Sequence, residues 1–189
     1  GAQSLYDEIL KITNRGHTLQ DTIEATQLMK DSFLKVTYHM MPGLPLSNYE
    51  KDVGMFKELF ANPNYKPDSL KIYPCLVMPG TGLYGLWKLG KFNPISLEEA
   101  AEIISEAKKY IPKYCRIMRI QRDIPTKFTA AGVNRTNLRQ YIKELLKKKG
   151  IKCNCIRCRE PRDRNVDLDN VKILNYEYDA SNGQEIFIS

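Results

Sequence analysis

The sequence predicts an α/β fold built on a parallel sheet, and three observations carry that expectation. Apolar, β-branched and aromatic runs at 33–41, 70–77 and 114–120 read as buried strands. Amphipathic stretches of helical length separate them, giving the order strand–helix–strand–helix–strand. Such crossovers are right-handed, and in these sheets ligands sit at the carboxyl ends of the strands. Those ends are 39–45, 73–78 and 119–123.

The first helical stretch is 4–13, with Leu5, Ile9 and Ile12 on one face, and Asn14-Arg15-Gly16-His17 breaks it. Thr18 caps the second helix, with Asp21 three residues on. Pro42-Gly43-Leu44-Pro45 ends the first strand. Ser47 and Glu50 have the spacing of a capping box, and Tyr49, Val53, Phe56 and Phe60 follow at helical spacing. A Pro/Asn loop at 62–69 leads into the second strand, and Pro79-Gly80 turns the chain into a short helix through Leu83, Leu86 and Trp87. Ser96 and Glu99 make another capping box. The helix after it has Leu97, Ala100, Ala101, Ile104, Ala107 and Ile111 on its core face. After the third strand, 136–149 is a helix with Leu138, Tyr141, Ile142, Leu145 and Leu146 inward, stopped by Gly150. A cysteine loop at 153–158 and a charged linker at 162–170 come next. Runs at 171–178 and 184–189 form a hairpin with Asn182-Gly183 at its turn.

Composition narrows the class. The chain is 42% apolar and 27% charged, so it is neither disordered nor fibrous. No apolar run approaches the roughly 18 residues of a membrane span, and no signal-peptide pattern opens the sequence. Five cysteines, three of them crowded together, do not form an even disulfide framework, so the expected location is a reducing cytoplasm. Net charge is +7, but its distribution says more. Residues 108–164 hold eighteen Lys and Arg against four Asp and Glu, and the remainder is acidic. That is the footprint of a polyanion-binding face. Both ends of the sequence read as interruptions of larger units.

Cys153-Asn154-Cys155-Ile156-Arg157-Cys158 is the sharpest chemical signal. The C-x-C-x2-C spacing lets three thiolates converge on one ion within a single turn, and zinc prefers such soft donors in a tetrahedral shell. Lys152, Arg157 and Arg159 flank the loop and favour thiolates over thiols. The competing reading is three reduced, idle cysteines, and idle cysteines rarely cluster this way. Cys115 and Cys75 are candidates for a fourth ligand, but each reads equally well as a small core residue of a buried strand. With three ligands in one short loop, the site is expected to be structural and to fix a basic loop for binding.

Twelve of these eighteen cations fall in three places. Arg116, Arg119 and Arg122 leave the third strand. Arg135, Arg139, Lys143, Lys147, Lys148 and Lys149 decorate the next helix, and Lys152, Arg157 and Arg159 belong to the cysteine loop. The competing reading is a solvated helix face. Against it, Glu144 is the only acid at 124–159, so pairing within the helix cannot neutralise the face. A nucleic-acid backbone is the natural counter-charge.

Several motifs carry a family resemblance. Gly1-Ala2-Gln3-Ser4 with Asn14-Arg15-Gly16-His17-Thr18 resembles the stretch after the fourth barrel strand of radical S-adenosylmethionine enzymes of the coproporphyrinogen-oxidase type. Tyr38-His39-Met40-Met41-Pro42-Gly43-Leu44-Pro45, Lys71-Ile72-Tyr73-Pro74, Arg116-Ile117-Met118-Arg119-Ile120-Gln121-Arg122-Asp123-Ile124-Pro125 and Cys155-Ile156-Arg157-Cys158-Arg159-Glu160 are similar to the Elongator catalytic-subunit family in its archaeal form. The resemblance runs over nearly the whole chain. It implies the back half of a TIM-like radical-SAM barrel at 1–130. A basic helix, zinc loop and linker would follow at 131–169, and the opening β-hairpin of an acetyltransferase domain at 170–189.

The family modifies the tRNA wobble uridine at carbon 5 with S-adenosylmethionine, a 4Fe-4S cluster and acetyl-CoA. The resemblance implies a radical made from S-adenosylmethionine that activates the acetyl methyl for addition to the base, with thioester hydrolysis leaving a carboxymethyl group. It assigns Gln3 and Arg15 to S-adenosylmethionine, Arg15 through the methionyl carboxylate, since a guanidinium suits that fork-to-fork pairing. His39 falls where the wider superfamily often has an Asp, and it can hydrogen-bond a ribose hydroxyl. The bland alternatives are a core histidine at His39, a helix-start residue at Gln3 and a cap at His17. Arg119, Gln121 and Arg122 would lie at the pocket rim, with Tyr73 stacking on a base or simply packing. The implied partners are tRNA and acetyl-CoA, with no membrane and no requirement for other Elongator subunits, and a homodimer is compatible.

The departures matter too. No cysteine here lies in the first strand-loop region of the barrel, where the resemblance places the cluster ligands, and 171–189 resembles only the start of an acetyltransferase. This segment alone is therefore not expected to catalyse. Two readings compete with that of a tRNA-modifying enzyme. One is a non-catalytic, zinc-stabilised RNA-binding module, and the other is a different radical enzyme of the coproporphyrinogen-oxidase type, which the basic block disfavours.

Overall fold

The computed structural model describes residues 1–121, 126–133, 137–162 and 165–189. Helix α1 spans Asp7–Ile12 and α2 spans Leu19–Asp31, the latter opened by the expected Thr18/Asp21 capping box. Strand β1 (Thr37–Met40) is followed by α3 (Tyr49–Ala61), β2 (Ser69–Ile72), β3 (Leu76–Val77) and α4 (Gly82–Lys88). Then come α5 (Leu97–Ala107), opened by the Ser96/Glu99 box, and β4 (Arg116–Ile120). The chain continues through β5 (Ala131–Gly132), α6 (Leu138–Lys148), α7 (Ile156–Arg159), β6 (Asn175–Ala180) and β7 (Gly183–Ile188).

The parallel sheet has the order β1-β2-β4, with Met40 opposite Ile72 and Ile72 opposite Ile120. Residue Gln3 extends it on the outer side of β1. Its N–H donates to the His39 carbonyl at 2.7 Å, and its own carbonyl accepts from Met41 N–H at 2.9 Å. One face of the sheet is dry. Tyr38, Met40, Leu70, Ile72 and Ile117 bury against Met55, Phe56 and Leu59 of α3 and Ala100, Ala101 and Ile104 of α5. Strand period two then sends Thr37, His39, Ser69 and Lys71 to the other face, where each is exposed or half-buried.

In β4 the alternation breaks. Met118 and Arg119 are consecutive exposed residues, because the register slips between Leu70 and Lys71 and inserts a bulge. The slip sets Arg119 opposite Lys71, which is itself opposite His39.

Three local expectations are corrected. The 70–77 run is not one strand. It breaks at Tyr73-Pro74-Cys75, and β3 pairs antiparallel with β5 in a separate two-stranded sheet. Proline has no N–H for the ladder, so it separates the two pieces. Ser47 does not cap α3. Asn48 does, accepting from Lys51 N–H at 2.8 Å, because the Ser47 hydroxyl is already committed to Asp52 at 2.6 Å. In the hairpin the loop residues are Ser181 and Asn182, both left-handed at φ 48° and 63°, and Gly183 already pairs with Ala180. Positive φ at both loop positions is the geometry that matches strand twist.

The hairpin docks on the amino-terminal side of the sheet. Tyr178 stacks on Tyr114 at 3.8 Å between ring centroids. The nearly buried Lys30 pairs with Glu185 of β7 at 3.0 Å and with Asp68 at 3.8 Å.

The turn after β1 depends on Asp52. Its carboxylate is 3% exposed and accepts from Gly43 N–H at 2.7 Å as well as from Ser47. Gly43 sits at φ +79°, and a Cβ there would meet Ile95 at 2.7 Å, so this turn requires glycine. Burial pushes the Asp52 carboxyl up to about 6. A folded-state value above the unfolded one favours the protonated form, so this stability contribution is full below about pH 4 and lost as pH rises through about 6. Asp52→Asn keeps an acceptor for Gly43. Denaturant melts should therefore show it gaining on the parent by on the order of 2–3 kcal/mol between pH 4 and pH 7. A difference that stays constant with pH contradicts this.

Candidate metal centre and nucleic-acid interface

The cysteine loop is held against β4 by backbone and guanidinium contacts. Ile156 N–H donates to the Cys115 carbonyl at 3.0 Å. Arg157 donates to the Met118 carbonyl at 3.1 Å, and Arg159 donates to the carbonyls of Asn154 and Lys113 at 2.9 and 2.8 Å. Arg116 pairs with Glu160. Within this frame the Sγ atoms of Cys153, Cys155 and Cys158 all lie within 4.8 Å of one another. Cys155 is fully buried, Cys153 nearly so, and Cys158 is exposed.

Hydrogen bonds from Cys153 and Cys158 pull the Cys155 thiol far below its usual range. The same bonds, with burial, push Cys153 up. Hydrogen bonding within the group thus favours a thiolate at Cys155, and thiolate is the form in which cysteine binds a soft divalent ion. Cys115 and Cys75 do not join the group. Burial raises both thiols, Cys75 to about 12, and Cys75 packs in a second core cluster with Leu44, Val77 and Phe92.

A groove of about 870 Å³ opens between α6 and this loop. Arg139, Lys143, Lys147, Lys152 and Arg157, five of the cations assigned to a polyanion, line it together with Lys108 and Arg162. Glu144 and Glu160 are the carboxylates facing them. Lys143, Lys147 and Lys152 are exposed. Arg139 is partly structural. Its guanidinium donates to the Ile117 carbonyl at 3.2 Å, and burial and the neighbouring Arg157 lower its pKa.

The other assigned residues lie elsewhere. Lys148 is exposed but does not line the groove, and Lys149 pairs with Glu102. Arg119 is exposed on the open sheet face. Gln121 is turned inward at 8% exposure, and its amide donates to the Val133 carbonyl at 3.1 Å. Arg122 and Arg135 lie outside the described residues.

The three residues assigned to S-adenosylmethionine meet at one strand end. Gln3 is bonded to His39, and Arg15 donates to the Gly1 carbonyl at 3.3 Å. The Arg15 Nε is buried without a hydrogen-bond partner among the described residues, a donor left for a ligand. His39 meets Tyr73 edge-to-face at 4.4 Å. Lys71 completes this polar row. Sequence patterning misses it, because only the strand register brings it between His39 and Arg119.

Residues 67–148 match the Radical_SAM C-terminal domain. The tRNA uridine(34) acetyltransferase of Methanocaldococcus jannaschii is 52% identical over 195 residues, covering 100% of this chain and 36% of that protein. Elongator complex protein 3 of Homo sapiens is 39% identical over 193 residues, covering 100% of this chain and 35% of that protein. The solved structure of archaeal Methanocaldococcus infernus Elp3 with an N-terminal deletion (1-46) superposes with a TM-score of 0.95 at 51% identity, covering 100% of this chain and 46% of that one. More narrowly, then, the chain is similar over its whole length to a segment of these Elongator-type proteins. It spans about a third of the length of the curated relatives it matches. Among the described residues, no helix is long and apolar enough to cross a membrane.

Proposed function

We propose that this chain is the part of a radical S-adenosylmethionine tRNA wobble-uridine enzyme that completes the cofactor pocket and presents the tRNA-binding face. The carrying observation is the groove in which Arg139, Lys143, Lys147, Lys152 and Arg157 converge beside the thiolate cluster. Similarity along the whole of this chain to about a third of the tRNA uridine(34) acetyltransferases supports the substrate class. In this reading the exposed lysines neutralise phosphates, and zinc in the Cys153, Cys155 and Cys158 cluster keeps their loop in one conformation.

At the strand end, the unpartnered Arg15 donor fits the methionyl carboxylate of S-adenosylmethionine, with Gln3 and His39 alongside. Bound with its 4Fe-4S cluster, that cofactor supplies the radical that activates the acetyl group of acetyl-CoA. The cysteines of this chain do not fit the cluster. Three form the loop trio and two are buried thiols raised by desolvation. The sheet belongs, in this reading, to the back of the TIM-like barrel at 1–130, with the zinc-loop unit at 131–169. The hairpin within 170–189 opens the acetyltransferase unit, and the site of action is the cytoplasm.

Deleting the gene should abolish the 5-carboxymethyl group at the wobble uridine, read by nucleoside mass spectrometry. The wild-type gene should restore it and Arg15→Ala should not. Unchanged wobble uridine in the deletion strain contradicts the proposal.

A further inference from the structure

Lys108, just past the last turn of α5, is 3% exposed, a burial that lysines almost never reach unless paired. The hydrogen bonds of its ammonium among the described residues go to sulfur, 3.4 Å to Cys153 and 3.9 Å to Cys158. A neutral thiol is a weak acceptor and does not compensate a buried ammonium. A thiolate does. The burial of Lys108 is therefore a second observation, independent of cysteine spacing, that the cluster carries negative charge.

We propose that Lys108 is the built-in counter-ion of the cysteine cluster and a positioning residue for its metal. The inference rests on the metal reading given above. Three thiolates around a divalent ion leave one net negative charge, and one ammonium against the sulfurs cancels it. Cluster and counter-ion together are then neutral, which suits the burial of Cys153, Cys155 and Lys108. The same count disfavours a fourth thiolate, in keeping with the positions of Cys115 and Cys75 outside the trio. Arg139 also faces the three sulfurs electrostatically, but its guanidinium is bonded to the Ile117 carbonyl, whereas among the described residues Lys108 hydrogen-bonds two of the sulfurs directly. Because Lys108 sits at the end of α5 and the cysteines follow α6, the contact also ties the groove wall to the sheet-covering helix.

The test is zinc affinity of the whole chain by chelator competition, for wild type, Lys108→Met, Lys108→Gln and Lys108→Arg. Wild type should bind one equivalent. Both uncharged variants should keep that stoichiometry with about 10–100-fold weaker affinity, the usual effect of losing an outer-sphere partner. Lys108→Arg should stay within about 10-fold of wild type. The rise in melting temperature on adding zinc should shrink in the uncharged variants, which a purely structural lysine would not cause. Equal affinity in wild type and the uncharged variants overturns the proposal. Wild type that takes up no zinc overturns the metal reading and this inference with it, and that outcome is read on wild type alone.

Discussion

Cys155→Ser should lose its metal and melt at least about 6–12 °C lower than the parent. Cys155 is wholly buried and lies in the main core cluster with Cys115, Ile117 and Leu146. A serine removes the thiolate favoured most strongly in the trio and leaves Lys108 with less counter-charge. Removing one partner from a buried charged assembly destabilises by about 3–5 kcal/mol. In a chain of this size each kcal/mol moves the midpoint by about 2–4 °C. Metal analysis and a thermal melt check both parts. A variant that melts with the parent would mean that the cysteines are idle.

The second large effect is on RNA. Reversing Lys143, Lys147 and Lys152 to glutamate should lower tRNA affinity at least about 100-fold at roughly 0.1 M salt. These three side chains are exposed and line one groove, so the change should leave the melting temperature nearly untouched, as surface substitutions usually do. Filter binding and a parallel melt separate lost binding from lost folding. Retained affinity would move the RNA to another face.

Local signals in the sequence were legible where the physics is local. Both Thr18/Asp21 and Ser96/Glu99 close as capping boxes, and the strands flanking α3 and α5 pair in parallel as their order implies. The cysteine spacing does bring three sulfurs together. What escaped is what depends on register or on distant packing. The break at Pro74 is hidden inside an apolar run, and the partner of the second piece, β5, is too short to carry a period. Lys108 reads as an ordinary lysine at a helix end, and only the fold sets it against cysteines 45 and 50 residues on. Charge counting also assigns Arg139, Arg157 and Arg159 to a polyanion. In the structure Arg139, Arg157 and Arg159 spend donors on backbone carbonyls of β4 and its neighbours, so lysines supply much of the exposed charge.

The most direct test of the account is the salt dependence of tRNA binding, compared between wild type and the neutral triple variant Lys143→Ala, Lys147→Ala, Lys152→Ala. Each phosphate contact contributes about 0.7–0.9 to the slope of log affinity against log salt. The variant slope should therefore be shallower by about two to three. Identical slopes would show that these lysines meet no phosphate and that the groove beside the cysteines is not where RNA lies.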